Sequence, residues 1–381
     1  MPLLPFLLLI IILLPDLYIW FSFVRGQVAP VWSALYWLPL LLTMVGIACF
    51  VMGYANHTVL KATFFLFLTF ALPKILFSVF SLVGRGLAVF EPRFSYIGIG
   101  FAVIIGFCTF IMSMYGFVWG WKRVVGRTVA VEVPQLPAAF EAYKIIQISD
   151  LHLGTFGHDT ELVSRLVEEV NALKPDLIVF TGDLVNIAPE ELKPFTAELS
   201  RLSAPDGVLS ILGNHDYSTY HPNKSKAARQ ARLNKLIEMQ RAMGWQLLRN
   251  ESYAIVRGGD TLVIAGVDNV ARPPFPSYGD LKKAMAEVAP EACVVLLSHD
   301  PTHWRREVLY HYPNIKLTLS GHTHAMQFKL GAFSPSQWIY DEWGGHYEEN
   351  GQHLHVSTGA GSNIPFRFGA WPEYVELVLK K

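Results

Sequence analysis

Charge is nearly absent from the first third of this 381-residue chain. Between Met1 and Trp121 it is carried only by Asp16, Arg25, Lys61, Lys74, Arg85, Glu91 and Arg93, and His57 is the single histidine of thirteen found there. Cysteine is equally scarce. Cys49 and Cys108 sit in apolar runs and Cys293 in a strand-like run, which argues against a disulfide framework. Net charge is also missing, since 31 basic side chains balance 31 acidic ones. No global field draws in an acidic partner, and without a broad basic stripe no nucleic acid is expected as a partner.

The charge-poor part holds four long apolar runs, Leu3–Phe23, Trp32–Tyr54, Phe64–Val83 and Ile97–Trp119. Each reaches the roughly 20 residues that a helix needs to cross a bilayer core. The first lacks a basic n-region and three more runs follow it, so it reads as a span rather than a cleaved signal. The expectation is an all-α domain of four transmembrane helices over residues 1–121, in an integral membrane protein with the lipid bilayer as its partner. Asp16 and Lys74 fall within spans beside Pro15 and Pro73. An intramembrane charge is a functional candidate by default, and a mutual pair is the plainer alternative. With four spans both termini share one side. That side carries Lys61, Lys122, Arg123 and Arg127 against Arg25, Arg85 and Arg93 opposite, which places the soluble part in the cytoplasm.

Downstream the pattern changes to alternating strand and helix. Residues 122–142, with Pro134 and Pro137, read as a linker, and residues 143–381 as an α/β domain. Strand-like runs occur at Lys144–Ile148, Leu177–Phe180, Val208–Leu212, Thr261–Val267, Cys293–Leu297, Ile315–Leu319, Leu354–Ser357 and Tyr374–Leu379. Helical spacing marks Thr160–Leu173, Pro189–Leu202 and Tyr278–Val288.

Five polar motifs stand at strand exits: D-L-H at Asp150–His152, G-D at Gly182–Asp183, G-N-H-D at Gly213–Asp216, S-H-D at Ser298–Asp300 and G-H-T-H at Gly321–His324. In open α/β sheets ligands gather at the carboxyl ends of strands. Asp, Asn and His are the donors that hold a pair of divalent cations, and mixed oxygen and imidazole donors suit manganese, iron or zinc. Asp183, close behind Gly182, is the natural bridging carboxylate. Asp150, His152 and one of His322 and His324 would complete one ion, with Asn214, His299 and the other histidine completing the second. His322 and His324 stand two apart, so in an extended segment both address the same face. His215 remains over. It suits a general acid that protonates a departing alkoxide, with Asp216 positioning it; a further metal ligand or a loop anchor is the plainer alternative.

This motif set resembles the calcineurin-like metallophosphoesterase superfamily, over roughly Lys144 to Lys381. The resemblance implies a sandwich of two β-sheets flanked by helices, two divalent metal ions, and hydrolysis of phosphomonoesters or phosphodiesters. It also implies a division of ligands: Asp150, His152, Asp183 and His324 on one metal, Asp183, Asn214, His299 and His322 on the other, and His215 on the transition state. G-N-H-D-Y and the tail S-T-G-A-G-S-N-I-P-F-R-F are similar to a bacterial branch of membrane-associated phosphodiesterases. That branch follows its last motif histidine with G-G-Q, where this chain has Ala325, Met326 and Gln327.

The anchor directs the substrate expectation to a phosphoester at the membrane surface. Some membrane-anchored relatives cleave the pyrophosphate of a UDP-diacylated glucosamine, so a lipid-linked phosphodiester or pyrophosphate leads, at a bacterial inner membrane. Two further features bear on it. One is the basic stretch His221–Arg241, readable as a membrane-surface helix or as the solvated face of a packed one. The other is the aromatic group Trp338, Tyr340, Trp343 and Tyr347. A competing class is a membrane receptor or transporter whose soluble domain only binds metal or phosphate.

Overall fold

The computed structural model describes residues 3–54, 56–273 and 275–381, and its backbone forms two units, Met1–Trp119 with Ile364–Phe366, and Gly120–Asn363 with Arg367–Lys381. The first unit is helical. α1 (Leu3–Ile19) continues through a π turn to Val24, α2 runs Pro30–Val51, α3 (His57–Leu66) passes through a second π turn into α4 (Leu72–Leu87), and α5 covers Arg93–Val118. Asn56 starts α3 by accepting a hydrogen bond from the Val59 amide at 3.0 Å. Four of the resulting segments are long and apolar enough to cross a membrane: Leu7–Val24, Pro30–Val51, His57–Leu87 and Arg93–Lys122. They expose large apolar side chains such as Trp32, Leu41 and Phe107 and bury small polar ones, Thr43, Ser81 and Ser113 among them. That inverts the soluble pattern and is what lipid-facing helices require. α4 and α5 meet backbone to backbone: a Cβ on Gly84 would lie 2.6 Å from the Gly98 Cα. Asp16 is buried and paired with Lys74, whose ammonium also lies over the Tyr36 ring at 4.2 Å. Of the two readings of these charges, the mutual pair is the one observed.

Among the described residues the second unit has twelve strands: β1 (Val125–Glu132), β2 (Lys144–Ile148), β3 (Leu177–Phe180), β4 (Val208–Ser210), β5 (Gln246–Leu247), β6 (Glu251–Arg257), β7 (Asp260–Gly266), β8 (Cys293–Leu297), β9 (Ile315–Ser320), β10 (Gly345–Glu349), β11 (Gln352–Val356) and β12 (Glu373–Lys380). They form two six-stranded sheets, ordered β1-β12-β2-β3-β4-β5 and β10-β11-β9-β8-β7-β6. β2, β3, β4 and β5 run parallel in the first, and β7, β8, β9 and β11 in the second. Their carboxyl ends therefore share one rim per sheet.

Side-chain alternation builds three layers of core. Leu177 and Val179 of β3 pack with Val295 and Leu297 of β8 in one cluster. Ile178 and Phe180 turn the other way, onto α6 (Glu161–Ala172) through Leu166, Val167 and Val170. Val294 and Leu296 pack on Trp304 and Val308. Strands buried on both faces are near-continuous in apolar residues, which is why they were legible. Each such side chain contributes roughly 1.5–3 kcal/mol relative to exposure.

Three expectations need correction. The segment read as a linker contains β1, which pairs with β12 along all its length, from Val125↔Glu373 to Glu132↔Lys380. Pro189–Leu202 is mostly a 3-10 segment, Pro189–Phe195, with one α turn at Thr196–Leu199, because Pro194 cannot donate to an α ladder. Tyr278–Val288 yields only Leu281–Ala284, capped by Asp280, and the Tyr278 and Gly279 amides are bound to the Asn269 carbonyl. The basic stretch forms a helix, Lys226–Ala242, whose Leu233, Leu236 and Ile237 are buried in the domain core. It is the solvated face of a packed helix.

Candidate metal centre

Three of the five motifs, D-L-H, G-D and G-H-T-H, leave their strands by turns that ordinary residues avoid. Asp150 (φ 53°), His152 (48°), Asp183 (58°), His322 (74°) and His324 (51°) all hold left-handed backbone. Non-glycine residues pay about 1–2 kcal/mol each for that conformation, and such strain concentrates at functional sites. The motif side chains gather at the rim, where all are buried except the part-buried His215 and His322. Gly213 is required beside them, since a Cβ there would collide with the Asp183 carboxylate.

The donor atoms converge. Asp183 Oδ2 lies 3.2 Å from His299 Nε2 and 3.6 Å from His152 Nε2. Asp150 Oδ1 lies 3.4 Å from His324 Nε2 and 3.9 Å from His152 Nε2. His322 Nδ1 faces Asn214 Oδ1 at 2.9 Å. Asp150, His152 and His324 thus form one group able to surround an ion, and Asp183, His299 and His322 another. His215 stands with His152 and Asp183 in a third overlapping group, so geometry alone leaves it able to act as a ligand.

Hydrogen bonds behind the rings decide which nitrogens face inward. His299 gives its Nδ1–H to the Thr181 carbonyl at 2.8 Å, and its buried Nε2 has no hydrogen-bond partner. Tyr340 meets His322 Nε2 at 3.1 Å, leaving Nδ1 toward Asn214. Asn214 donates its amide to Tyr220 at 3.2 Å, which turns its oxygen to the centre. Such outer contacts orient metal ligands.

The protonation pattern agrees. Burial holds His152 and His324 well below the usual imidazole range, with the charges of His215 and Arg367 respectively adding to it. Burial also takes His322 down to about 4. His299 differs: burial opposes its charge, yet Asp183, and Asp150 behind it, lift it up to about 10. Burial works against Asp183 too, but the surrounding histidines, led by His299, hold it ionised. The neutral rings of His152, His322 and His324, the ionised Asp183 between them and the unpartnered buried Nε2 of His299 fit a divalent-metal site.

The roles of the G-N-H-D residues separate. His215 gives its amide to Asp183 Oδ1 at 2.8 Å and its Nδ1 to the Asn186 carbonyl at 2.7 Å, with its ring against Tyr220. Asp216 does not position the His215 ring. Its carboxylate accepts from the amides of Asp183, Leu184 and Gly213 at 2.9 Å each and of Val185 at 3.2 Å. It ties the two loops together, and burial with the nearby Asp183 charge pushes it up to about 7.

Comparison with known proteins follows this geometry. The calcineurin-like phosphoesterase model matches residues 143–326, which include all nine residues singled out. The Bacillus subtilis protein YkuE, an uncharacterized metallophosphoesterase, is 30% identical over 255 residues, 64% of this chain and 82% of the relative. The chain belongs to the calcineurin-like phosphoesterase family. Residues 1–121 of this phosphoesterase-family chain match a second family, described as "Probable Calcineurin-like phosphoesterase, transmembrane domain", and the protein is an integral membrane protein. A Danio rerio transmembrane protein with metallophosphoesterase domain is 29% identical over 286 residues, 72% of this chain; the chain spans only 61% of that relative's length. The UDP-2,3-diacylglucosamine pyrophosphatase LpxG of Chlamydia trachomatis is 28% identical over 295 residues, 63% of this chain and 84% of the relative.

Several residues of this phosphoesterase-family site carry no motif signal. Arg367 is fully buried and donates to the carbonyls of Thr358 (2.7 Å), His324 (3.1 Å) and Ala370 (3.2 Å), with Nη2 2.9 Å from His324 Nδ1. The R-F of the tail was its only trace. Tyr220 and Tyr340 lie in loops where spacing predicts nothing. The G-G-Q departure now has a geometry: Ala325 (φ 50°), Met326 (45°) and Gln327 (61°) hold left-handed backbone without glycine.

Proposed function

We propose that this chain is a membrane-tethered, metal-dependent phosphoesterase that hydrolyses a lipid-linked phosphodiester or pyrophosphate. The observation that carries the reading is the convergence of His152, His299, His322 and His324 with the Asp150 and Asp183 carboxylates, with His215 held beside them by its Nδ1. In this reading Asp150, His152, Asp183 and His324 hold one divalent ion, and Asp183, Asn214, His299 and His322 the other, with manganese, iron or zinc as the metal. When bound, such ions lower the pKa of water and neutralise phosphoryl oxygens. The chain's own residues supply the rest. Asp216 fixes the loops that carry Asp183 and Asn214. His215, with Nδ1–H committed to Asn186, directs Nε2 outward and in its protonated form gives that proton to the departing oxygen as water oxygen bonds to phosphorus.

The substrate class rests on two supports: the four apolar helices confine the domain to a bilayer, and LpxG is a pyrophosphatase by name. A UDP-diacylated glucosamine at the cytoplasmic face of a bacterial inner membrane is therefore the leading candidate. The test is mass spectrometry of membrane lipid extract, spiked with UDP-diacylglucosamine and incubated with manganese-loaded protein. A new lipid phosphate with wild type and none with Asp183→Ala is the expected result. Identical spectra would remove the lipid-linked substrate.

A further inference from the structure

Among the described residues of the second unit, nine large apolar side chains are exposed, and five of them fall within fourteen positions: Met326 (47%), Leu330 (62%), Phe333 (37%), Trp338 (74%) and Ile339 (60%). The other four, Tyr220, Val256, Tyr278 and Tyr310, are widely spaced along the chain. Single exposed apolar residues need no explanation, whereas a concentrated group marks an interaction surface.

The segment is built, not frayed. The Leu330 and Phe333 amides and carbonyls pair at 2.9 and 3.0 Å, and Ser334 Oγ donates to the Ala325 carbonyl at 2.8 Å. Pro335–Trp338 closes a 3-10 turn, and the Phe333 and Trp338 rings stand edge to face at 5.5 Å. Ordinary burial would have turned these side chains inward; the loop's own bonds hold them out. Both ends of the segment reach the metal centre. Met326 is two residues beyond His324, and Tyr340, next to Ile339, touches His322 Nε2 at 3.1 Å.

We propose that the loop of residues 326–339 enters the lipid bilayer interface and presents an amphiphilic phosphoester to the His322–His324 side of the metal centre. The occupant follows from the chain itself. Its four long apolar helices keep a bilayer within reach, and tryptophan beside aliphatic residues is the composition that settles at a membrane–water boundary. The substrate is then a molecule with an acyl anchor, taken up without leaving the membrane. The substrate part of this inference rests on the phosphoesterase reading; the contact with the bilayer does not.

The test uses the full chain in nanodiscs of phosphatidylcholine and phosphatidylglycerol, with Cys49, Cys108 and Cys293 replaced by alanine. Trp338→Cys is labelled with bimane, and Glu291→Cys, at the amino end of β8, serves as the comparator. Quenching by doxyl-labelled lipid several-fold stronger at 338 than at 291 is expected; equal quenching overturns the proposal. In the second arm, Trp338→Ser/Ile339→Ser raises KM for a vesicle-borne phosphodiester by about tenfold, equivalent to about 1.4 kcal/mol. Turnover of soluble bis(p-nitrophenyl) phosphate stays as in wild type. An equal loss on both substrates also overturns it. If wild type hydrolyses neither substrate while position 338 is still quenched, the phosphoesterase reading fails and the bilayer contact stands.

Discussion

Both units bury charge, and they resolve it in opposite ways. In the helical unit Asp16 meets Lys74, the ammonium lies over Tyr36, and the Tyr36 hydroxyl donates to the Asp16 carbonyl oxygen at 2.7 Å. Each sign has its counterpart. In the sandwich unit the carboxylates face imidazoles of which burial keeps His152, His322 and His324 neutral, and His299 Nε2 has no hydrogen-bond partner. A buried polar group costs free energy unless it is matched. The first arrangement is complete by itself and serves packing; the second is complete only with a cation. Satisfaction of partners, rather than burial of charge, separates a structural pair from a site.

The sharpest way to break this contrast is to remove the shared carboxylate. Asp183→Ala should abolish phosphoester hydrolysis and reduce bound metal, measured by turnover and by elemental analysis. Asp16→Asn should leave both near wild type. His215→Gln comes next: turnover should fall by about 10²–10⁴ with metal content unchanged, as loss of a proton donor predicts. A loss of metal instead would make His215 a ligand. The helical pair gives a smaller effect, read in stability. Lys74→Met should cost roughly 3–5 kcal/mol by leaving Asp16 alone, and Asp16→Leu/Lys74→Met should regain most of it, measured by unfolding in mixed micelles. Last, Met326→Gly should raise stability by about 1 kcal/mol by relieving left-handed backbone, with the metal content kept.

The sequence showed most of the chemistry and less of the frame that holds it. The positions of Asp150, Asp183, Asn214, His299 and His322 were legible because each follows a short segment rich in Ile, Leu and Val that the fold buries almost entirely. β1 was not, because it is an edge strand, exposed over much of its length, with Gly126 and Arg127 interrupting its pattern. β10 was missed for the same reason: in G-H-Y-E-E only Tyr347 is apolar. The partners of Asp216 were not legible, since spacing shows neighbours along the chain and not the four amides its carboxylate gathers. Arg367 left almost no signal. It acts on carbonyls, which every residue has, so the tail motif that contains it gave no hint of its role. The sequence did flag Trp338, Tyr340, Trp343 and Tyr347 together, but only the fold separates the outward Trp338 from Tyr340, which turns to His322.

The run from His324 to Gln327 also depends on distant parts of the chain. Consecutive left-handed residues have no local reason to persist, so this turn waits for outside support. Ser334 holds the Ala325 carbonyl, and Arg367, 43 positions after His324, holds that of His324 itself. β12, which follows Arg367, is inserted between β1 and β2. The position of His324 is therefore set by a residue far along the chain and by the strand that anchors it, so the metal centre and the sheet edge are one structural unit.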